Sequence, residues 1–144
     1  MSVVAPAPVV PNILVEDVEA LRAFYLEKLG FEHRMGVVGR DGRLDLCIVM
    51  RGGALIMLSR PEEPSAAATI RPAPRPIELY IAVPDVDSYH EEVRRRVEVR
   101  APLRTQWWGD RNFGVDDPCG YRLWFYQTLR AFSSVTPPAG VTVV

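Results

Sequence analysis

Ile13-Leu14-Val15-Glu16-Asp17-Val18, near the start of the chain, returns in the second half as Ile81-Ala82-Val83-Pro84-Asp85-Val86. Every residue of the second copy lies 68 positions after its counterpart, and each copy runs from an apolar stretch into an aspartate and an amphipathic segment. Aspartate favours the N-cap of a helix, because its carboxylate accepts an otherwise unpaired backbone N–H. The repeat therefore predicts a tandem of two similar modules, which we expect to form a shared cup with a pocket between them.

The pattern around each aspartate predicts the element order β-α-β-β-β. In the first module we expect a helix that ends at Gly30, where glycine suits a left-handed C′ position, with strands at Val10–Val15, Phe31–Val38, Leu44–Met50 and Ala54–Ser59. The turn Arg40-Asp41-Gly42 is a strong hairpin signal. The second module repeats the order, with a helix at Val86–Arg96 and strands at Ile77–Val83, Arg100–Thr105, Arg111–Val115 and Arg122–Gln127.

The proline distribution predicts how the chain is organised. Prolines are concentrated between Arg60 and Pro76, which is typical of an extended linker. We expect one domain at residues 8–128, made of modules 8–60 and 76–128, followed by a loose tail at residues 129–144.

Composition excludes several functional classes. At 144 residues and 48% apolar content the chain can build one substantial core, and its net charge of −1 gives no field that would attract nucleic acid or an acidic membrane. No apolar run approaches the roughly 20 residues that a bilayer requires. The first residues, Met1–Pro6, lack the pattern of an export signal, which predicts a cytoplasmic protein. Cys47 and Cys119 are accordingly expected to be free thiols.

Several short strings carry a family resemblance. Val15–Val18, Phe24-Tyr25 and Lys28–Phe31, together with Trp108–Phe113 and Asp116–Tyr121, resemble the vicinal oxygen chelate superfamily of glyoxalases, extradiol dioxygenases, fosfomycin-resistance thiol transferases and bleomycin-resistance proteins. The resemblance covers roughly residues 8–128. It implies an α+β fold in which tandem βαβββ modules form an open, cup-shaped mixed β-sheet barrel, commonly as a homodimer.

The resemblance also bears on metal binding. The metal enzymes of the superfamily use His and Glu ligands at positions that correspond here to Val10, Met57, Glu78 and Trp124. An aliphatic side chain, a thioether and an indole are unsuitable ligands for a hard divalent ion. The two histidines, His33 and His90, are expected on a solvated strand edge and a polar helix face. We therefore expect no metal, no cofactor and no catalytic residue.

Strand alternation separates two faces of the predicted sheets, because successive side chains point to opposite sides. One face is uniformly apolar and is predicted to pack against the helices: Ile13, Val15, Ile56, Leu58, Ile77, Leu79, Ile81, Val83, Leu123 and Phe125. The other face mixes aromatic and polar groups: Val10, Asn12, Leu14, Leu55, Met57, Ser59, Glu78, Tyr80, Ala82, Arg122, Trp124 and Tyr126. The mixed face is predicted to be a ligand pocket, with solvent exposure or a dimer interface as alternatives.

The candidate ligand-binding residues come from this face and from the aromatic strings: Trp124, Tyr126, Arg122, Glu78, Tyr80, Met57, Trp107, Trp108, Arg111 and Phe113. Arg111 suits a planar anionic or aromatic ligand, whereas Glu78 favours a cationic amine, unless the two pair with each other. The Trp107-Trp108 pair is either a stacking wall at the pocket mouth or a plug at the strand end.

Three functions remain open at this point. No nucleophile motif, phosphate loop or dinucleotide fingerprint is present. The leading hypothesis is a metal-independent small-molecule binding protein that sequesters an aromatic or amphiphilic compound such as an antibiotic. The alternatives are a metal-dependent lyase or dioxygenase with an atypical site, and a structural or regulatory dimer without a ligand.

Overall fold

Each copy of the repeated segment folds as predicted into a βαβββ unit. The computed structural model describes residues 9–144, so the expected domain start at residue 8 and the Met1–Pro6 segment lie outside the described residues. The chain divides into two units within the proline-rich segment, at Arg71 and Pro72. The fold is α+β, with one four-stranded mixed sheet in each unit.

The first unit contains strand β1 (Asn12–Leu14), helix α1 (Val18–Ala23) and strands β2 (Glu32–Val38), β3 (Leu44–Arg51) and β4 (Ala54–Ser59). The strand order is β1-β4-β3-β2, with β1 parallel to β4 and the other pairs antiparallel. Asp17 caps α1 by accepting the backbone N–H of Ala20 at 3.1 Å. The predicted helix differs in its second half, where a π-helical turn spans Phe24–Lys28 before Gly30.

The second unit contains β5 (Glu78–Ala82), α2 (Val86–Val93), β6 (Val99–Thr105), β7 (Asp110–Asp116) and β8 (Arg122–Thr128). Its order, β5-β8-β7-β6, repeats that of the first sheet, including the parallel pair β5 and β8. Asp85 caps α2 by accepting the backbone N–H of Ser88 at 3.1 Å, as its counterpart Asp17 does in the first unit. The repeated aspartate therefore has the same structural role in both units.

The helix-facing sides of both sheets form the cores. In the first unit the buried residues include Ile13, Val15, Val18, Leu21, Tyr25, Ile56 and Leu58. In the second they include Ile81, Val83, Val86, Tyr89, Phe113, Leu123 and Phe125. Ile77, predicted to belong to this face, lies before β5 and is 65% exposed, so its assignment to the core is wrong.

The proline-rich segment and the tail each contain one short 3-10 turn. A 3-10 turn at Ala66–Ala68 packs on the first unit, where the backbone N–H of Glu16 donates to the carbonyl of Ala68 at 2.9 Å. The tail forms a 3-10 turn at Phe132–Ser134. Cys47 and Cys119 are buried free thiols, as predicted. No helix within residues 9–144 is long and apolar enough to span a membrane.

Candidate ligand-binding site

One face of the second sheet carries most of the predicted binding residues. Tyr80 pairs with Trp124 between β5 and β8, and Glu78 pairs with Arg122. Residues paired on adjacent strands project to the same side of a sheet, so these four side chains share one face. Burial alternates along β8 as the sequence predicts, with its helix-facing residues fully buried and Trp124 only partly buried.

A pocket of about 330 Å³ opens on this face. Its lining consists of Glu78, Tyr80, Gln106, Trp108, Asn112 and Trp124. The volume falls at the lower end of the range of ligand sites, roughly 300 to 1,000 Å³. Two indoles and a phenol provide apolar surface, while one carboxylate and two amides provide polar groups. This combination is typical of small-molecule sites.

A tight turn between β6 and β7 presents Trp108 to the pocket. The backbone N–H of Gln106 donates to the carbonyl of Asp110 at 2.7 Å, and that of Gly109 donates to the carbonyl of Gln106 at 3.1 Å. Gly109 has a φ of 100°, and a Cβ there would lie 2.3 Å from the carbonyl oxygen of Arg130. The turn therefore requires glycine, which fixes the point where Trp108 leaves the chain.

A chain of hydrogen bonds crosses the wall of the pocket and ends at Asp110. The Gln106 amide donates to the Asn112 side-chain oxygen at 3.0 Å, and the Asn112 amide donates to the Tyr80 hydroxyl at 3.1 Å. The Tyr80 hydroxyl in turn donates to the Asp110 carboxylate at 2.8 Å. Asn112 is only 2% exposed, so these bonds satisfy a buried amide that would otherwise be costly.

Asp110 also accepts two further hydrogen bonds. The indole N–H of Trp108 donates at 3.2 Å to the same carboxylate oxygen as Tyr80, and the Thr128 hydroxyl donates at 2.8 Å to the other oxygen. Asp110 therefore connects the turn, β5 and β8. Partial burial, followed by the hydrogen bond to Asp110, raises the pKa of the Tyr80 phenol, which stays a neutral donor at physiological pH.

The indole of Trp124 rests between a cation and a glycine. The Arg122 guanidinium lies 5.7 Å from the Trp124 ring centroid and forms an ion pair with Asp116. Across the sheet, a Cβ on Gly114 would approach the Trp124 ring to 3.4 Å, so the missing side chain provides space for the indole. On the same face, Tyr126 stacks on Tyr80 with ring centroids 4.3 Å apart.

Trp107 and Met57 lie outside the lining of this pocket. Trp107 packs edge-on against Trp108 with centroids 5.8 Å apart and contacts Phe132 of the tail at 6.1 Å. The sequence left open whether the Trp107-Trp108 pair forms a pocket wall or a plug at the strand end. Trp108 lines the pocket, whereas Trp107 packs at the strand end. Met57 lies on β4 of the first unit, beside Asn12 of β1.

Arg111 and Phe113 were predicted near the pocket, but the structure places them on the opposite, helix-facing side of β7. The Arg111 guanidinium binds the Asp87 carboxylate of α2 through contacts of 3.0 to 3.1 Å, so the predicted alternative in which it pairs with Glu78 is wrong. Phe113 is fully buried, 5.5 Å from the ring of Phe125. These two assignments are wrong, because strand alternation gives this side of β7 to the core.

The two histidines differ in their surroundings. His33 is exposed on the edge strand β2, as predicted. His90 is half-buried with its ring 5.0 Å from Phe113, and burial lowers its pKa, so the expected solvated position is wrong for this residue.

Three residues of the site are absent from the sequence prediction: Gln106, Asp110 and Asn112. Asp110 and Asn112 alternate on β7, and the pairing of Asn112 with Tyr126 places them on the pocket face. The sequence therefore shows that Asp110 and Asn112 point to the same face of β7. Identifying that face requires the register between β7 and β8, which the sequence alone does not provide.

The residues at the four positions expected to correspond to the superfamily's metal ligands do not fit a hard divalent ion. Val10, Met57 and Trp124 supply an alkyl group, a thioether and an indole, which leaves Glu78 as the single carboxylate. Within residues 9–144, no three His, Cys, Asp or Glu side chains are grouped so that they could hold a metal ion.

Comparison with known proteins identifies the family. The sequence model of the Glyoxalase/Bleomycin resistance protein/Dioxygenase superfamily matches residues 7–125, and the chain belongs to this superfamily. The bleomycin-binding protein from bleomycin-producing Streptomyces verticillus, solved with copper(II)-bleomycin, is 30% identical with a TM-score of 0.61, over 85% of this chain and 97% of that one.

One further solved structure and one further protein are similar to this chain. TioX from Micromonospora sp. ML1 is 20% identical with a TM-score of 0.68, over 86% of this chain and 100% of that one, and shares the fold. An uncharacterized protein of Mycobacterium bovis is 26% identical over 126 residues, which cover 83% of this chain and 82% of the relative.

Proposed function

We propose that this protein binds an aromatic or amphiphilic small molecule, such as an antibiotic, and acts by sequestering it without a metal ion. The observation that carries the proposal is the 330 Å³ pocket, in which Tyr80, Trp108 and Trp124 combine with the polar side chains of Glu78 and Asn112. The 30% identity to a protein solved with copper(II)-bleomycin supports the same class of ligand.

The chemistry of the lining favours binding over catalysis. Tyr80 holds its proton in a hydrogen bond to Asp110, and its raised pKa disfavours a phenolate nucleophile. Asn112 and Gln106 are amides bonded to each other, and amides neither titrate nor attack. Such groups orient a ligand, while the indoles supply apolar contact area.

The proposal extends to assembly and location. We propose a homodimer, because β2 is an edge strand on which every side chain is exposed. We also propose a cytoplasmic location, where the free thiols of Cys47 and Cys119 would remain reduced.

A ligand screen tests the proposed function. Aromatic and glycopeptide antibiotics are added to the purified protein, and ligands that raise the melting temperature are titrated by calorimetry. We expect at least one to bind at about 1 µM or tighter with one site per chain. If no compound of either class raised the melting temperature, the proposed function would be rejected.

A further inference from the structure

We infer that the pocket of the second unit selects cationic ligands, in which a protonated or quaternary amine is attached to an aromatic or apolar body, and that Glu78 determines this specificity. The inference rests on the proposed function, because it names the ligand class for the same pocket. Four features support it: the aromatic lining, the position of Asp110, the unpaired carboxylate of Glu78 and the shortage of free donors.

The lining offers three aromatic rings to one bound group. Tyr80, Trp108 and Trp124 all border the same cavity. The face of an aromatic ring attracts a cation placed within about 6 Å of its centroid, and indole does so most strongly. Trp124 already shows this attraction, since the Arg122 guanidinium lies 5.7 Å from its centroid. A small cavity with several such rings suits an ammonium group.

Asp110 strengthens two of these rings from outside the lining. The polar hydrogens of Tyr80 and Trp108 both point at one oxygen of its carboxylate, at 2.8 and 3.2 Å. Donating a hydrogen bond to an anion polarises the donor and shifts electron density into its ring. Both ring faces become more attractive to a cation, and the carboxylate occupies none of the space that the ligand needs.

Glu78 is the one charged side chain in the lining. Within residues 9–144, no arginine, lysine or histidine nitrogen lies within 4.0 Å of its carboxylate. Its neighbour in the register, Arg122, makes its ion pair with Asp116 and interacts with Glu78 only through a weaker electrostatic attraction. Glu78 is therefore available to pair with an ammonium group that enters between the rings.

The same pocket is poorly suited to an anion. The hydroxyl hydrogen of Tyr80 and the indole hydrogen of Trp108 are both committed to Asp110, so neither remains for an anionic ligand. A neighbouring arginine-rich groove, which Glu78 also borders, contains Arg75, whose guanidinium donates to the carbonyl of Cys119. It also contains Arg100 and Arg122, which are both ion-paired with Asp116. Arginines that are already neutralised in this way attract an anion weakly.

Three probes with the same aromatic body test the inference by calorimetry: 2-naphthylmethylamine, 2-naphthylmethanol and 2-naphthoate, at pH 7. We expect the ammonium probe to bind at least about tenfold more tightly than the neutral alcohol. We expect the carboxylate probe to bind more weakly than the alcohol. These ratios are measured on the unaltered protein and need no folded variant.

Charge-removing variants then locate the source of the preference. Glu78→Gln removes the charge and keeps the shape of the side chain. It should lower the affinity for the ammonium probe to that for the alcohol, and it should leave the affinity for the alcohol unchanged. Glu63→Gln, an exposed residue of the first unit, changes the net charge equally and should change neither affinity. An equal loss in both variants would mean that net charge, and not Glu78, sets the preference, and would overturn the inference.

The outcomes separate this inference from the proposed function. Equal binding of ammonium and alcohol, with both weakened by Trp124→Ala, would overturn cation selection and leave the aromatic binding site standing. Tightest binding of the carboxylate would also overturn the inference and would direct attention to the arginine-rich groove. If none of the probes bound at millimolar concentration while an antibiotic of the screen did, the inference would fail and the proposed function would stand.

Discussion

The indole nitrogen of Trp108 lies 3.2 Å from the carboxylate of Asp110, two positions later in the chain and on the far side of a tight turn. Trp108 is only partly buried, so this hydrogen bond, and not enclosure in the core, holds the indole in place. A residue of the turn thereby becomes part of the pocket wall.

Asp110→Ala should weaken binding of a confirmed ligand about tenfold. Tyr80 and Trp108 lose a shared charged acceptor, and hydrogen bonds of that kind contribute about 1.5 to 3 kcal/mol. Calorimetry gives the affinity, and tryptophan fluorescence anisotropy reports the mobility of the indole. Asp110→Asn, which keeps one acceptor oxygen, is the matched control and should lose less. Equal affinity in the alanine variant and the unaltered protein would contradict this role.

Trp124→Ala should lower the affinity for a confirmed ligand at least tenfold, about 1.4 kcal/mol of binding free energy, while the fold persists. Trp124 is partly buried on the pocket face, and its neighbours Leu123 and Phe125 keep the helix-facing core intact. Trp107→Ala is the control, because it removes an indole that does not line the pocket. Circular dichroism checks folding. Unchanged affinity in a folded variant would place the ligand elsewhere, and an unfolded variant would make Trp124 a core residue.

The sequence predicts the faces of β5 and β8 because their alternation is strong. Tyr80 and Trp124 each lie between two apolar residues that point to the opposite face of their strand. The alternation of side chains along a strand therefore predicts that both lie on the pocket face. On β7, Asp110, Asn112, Gly114 and Asp116 share one parity, whereas Arg111, Phe113 and Val115 share the other. The candidates Arg111 and Phe113 come from the aromatic strings, without an assignment to either face. Only the pairing of β7 with β8 decides this face.

The first helix shows a second limit of the sequence. The apolar stripe predicts one continuous helix, but a π-helical turn occupies Phe24–Lys28. Tyr25 is fully buried there with its ring 5.4 Å from Phe31, and the backbone N–H of Phe31 donates to the carbonyl of Tyr25 at 2.9 Å. These contacts depend on how the chain packs after the helix, which helical periodicity does not encode.

The purified protein should contain no stoichiometric divalent metal. On the expected correspondence with the metal enzymes of the superfamily, the ligand positions are taken by Val10, Met57 and Trp124, which offer no suitable donor. Elemental analysis after dialysis measures the metal content directly. About one Fe, Mn, Ni or Zn per chain would contradict the proposal of metal-independent binding.

The protein should sediment as a dimer, at twice the 16.2 kDa of the chain, at a concentration of tens of micromolar. Met35, Val37 and Val38 are 41%, 45% and 65% exposed on β2, and association would cover them. Val37→Lys should shift the sedimentation toward the monomer, because a charged edge strand resists pairing. Leu129→Lys, an equally exposed position outside β2, should not. A monomer in the unaltered protein would contradict the prediction.

Glu91→Gln should lower the melting temperature by about 1 to 2 °C at pH 7 and by less in acid. The hydrogen bond from Arg94 holds the pKa of Glu91 at about 2, below its ordinary 4.5. A depressed carboxyl pKa stabilises the fold above pH 4.5, and this contribution disappears as the pH falls through about 2.

Melting curves from pH 7 to pH 2 measure this effect, and Glu63→Gln serves as an unpaired control. The difference between the unaltered protein and Glu91→Gln should shrink between pH 4.5 and pH 2. Because the ion pair is exposed, the difference in melting temperature should also shrink in high salt. A difference that grew in acid would have the wrong sign for a depressed pKa.

Gly114 has a consequence for how ligand size is controlled in this protein. A methyl group there would meet the side chains of Ala101 and Arg122 at 3.1 Å, which would have to shift by a few tenths of an ångström, and the Trp124 ring at 3.4 Å, an ordinary contact. A side chain larger than that of alanine would press on the indole. The depth available to a ligand thus depends on a position that has no side chain and does not border the pocket. Related proteins with identical contact residues but a larger residue here would accept smaller molecules, and their selectivity would not be visible from the contact residues alone.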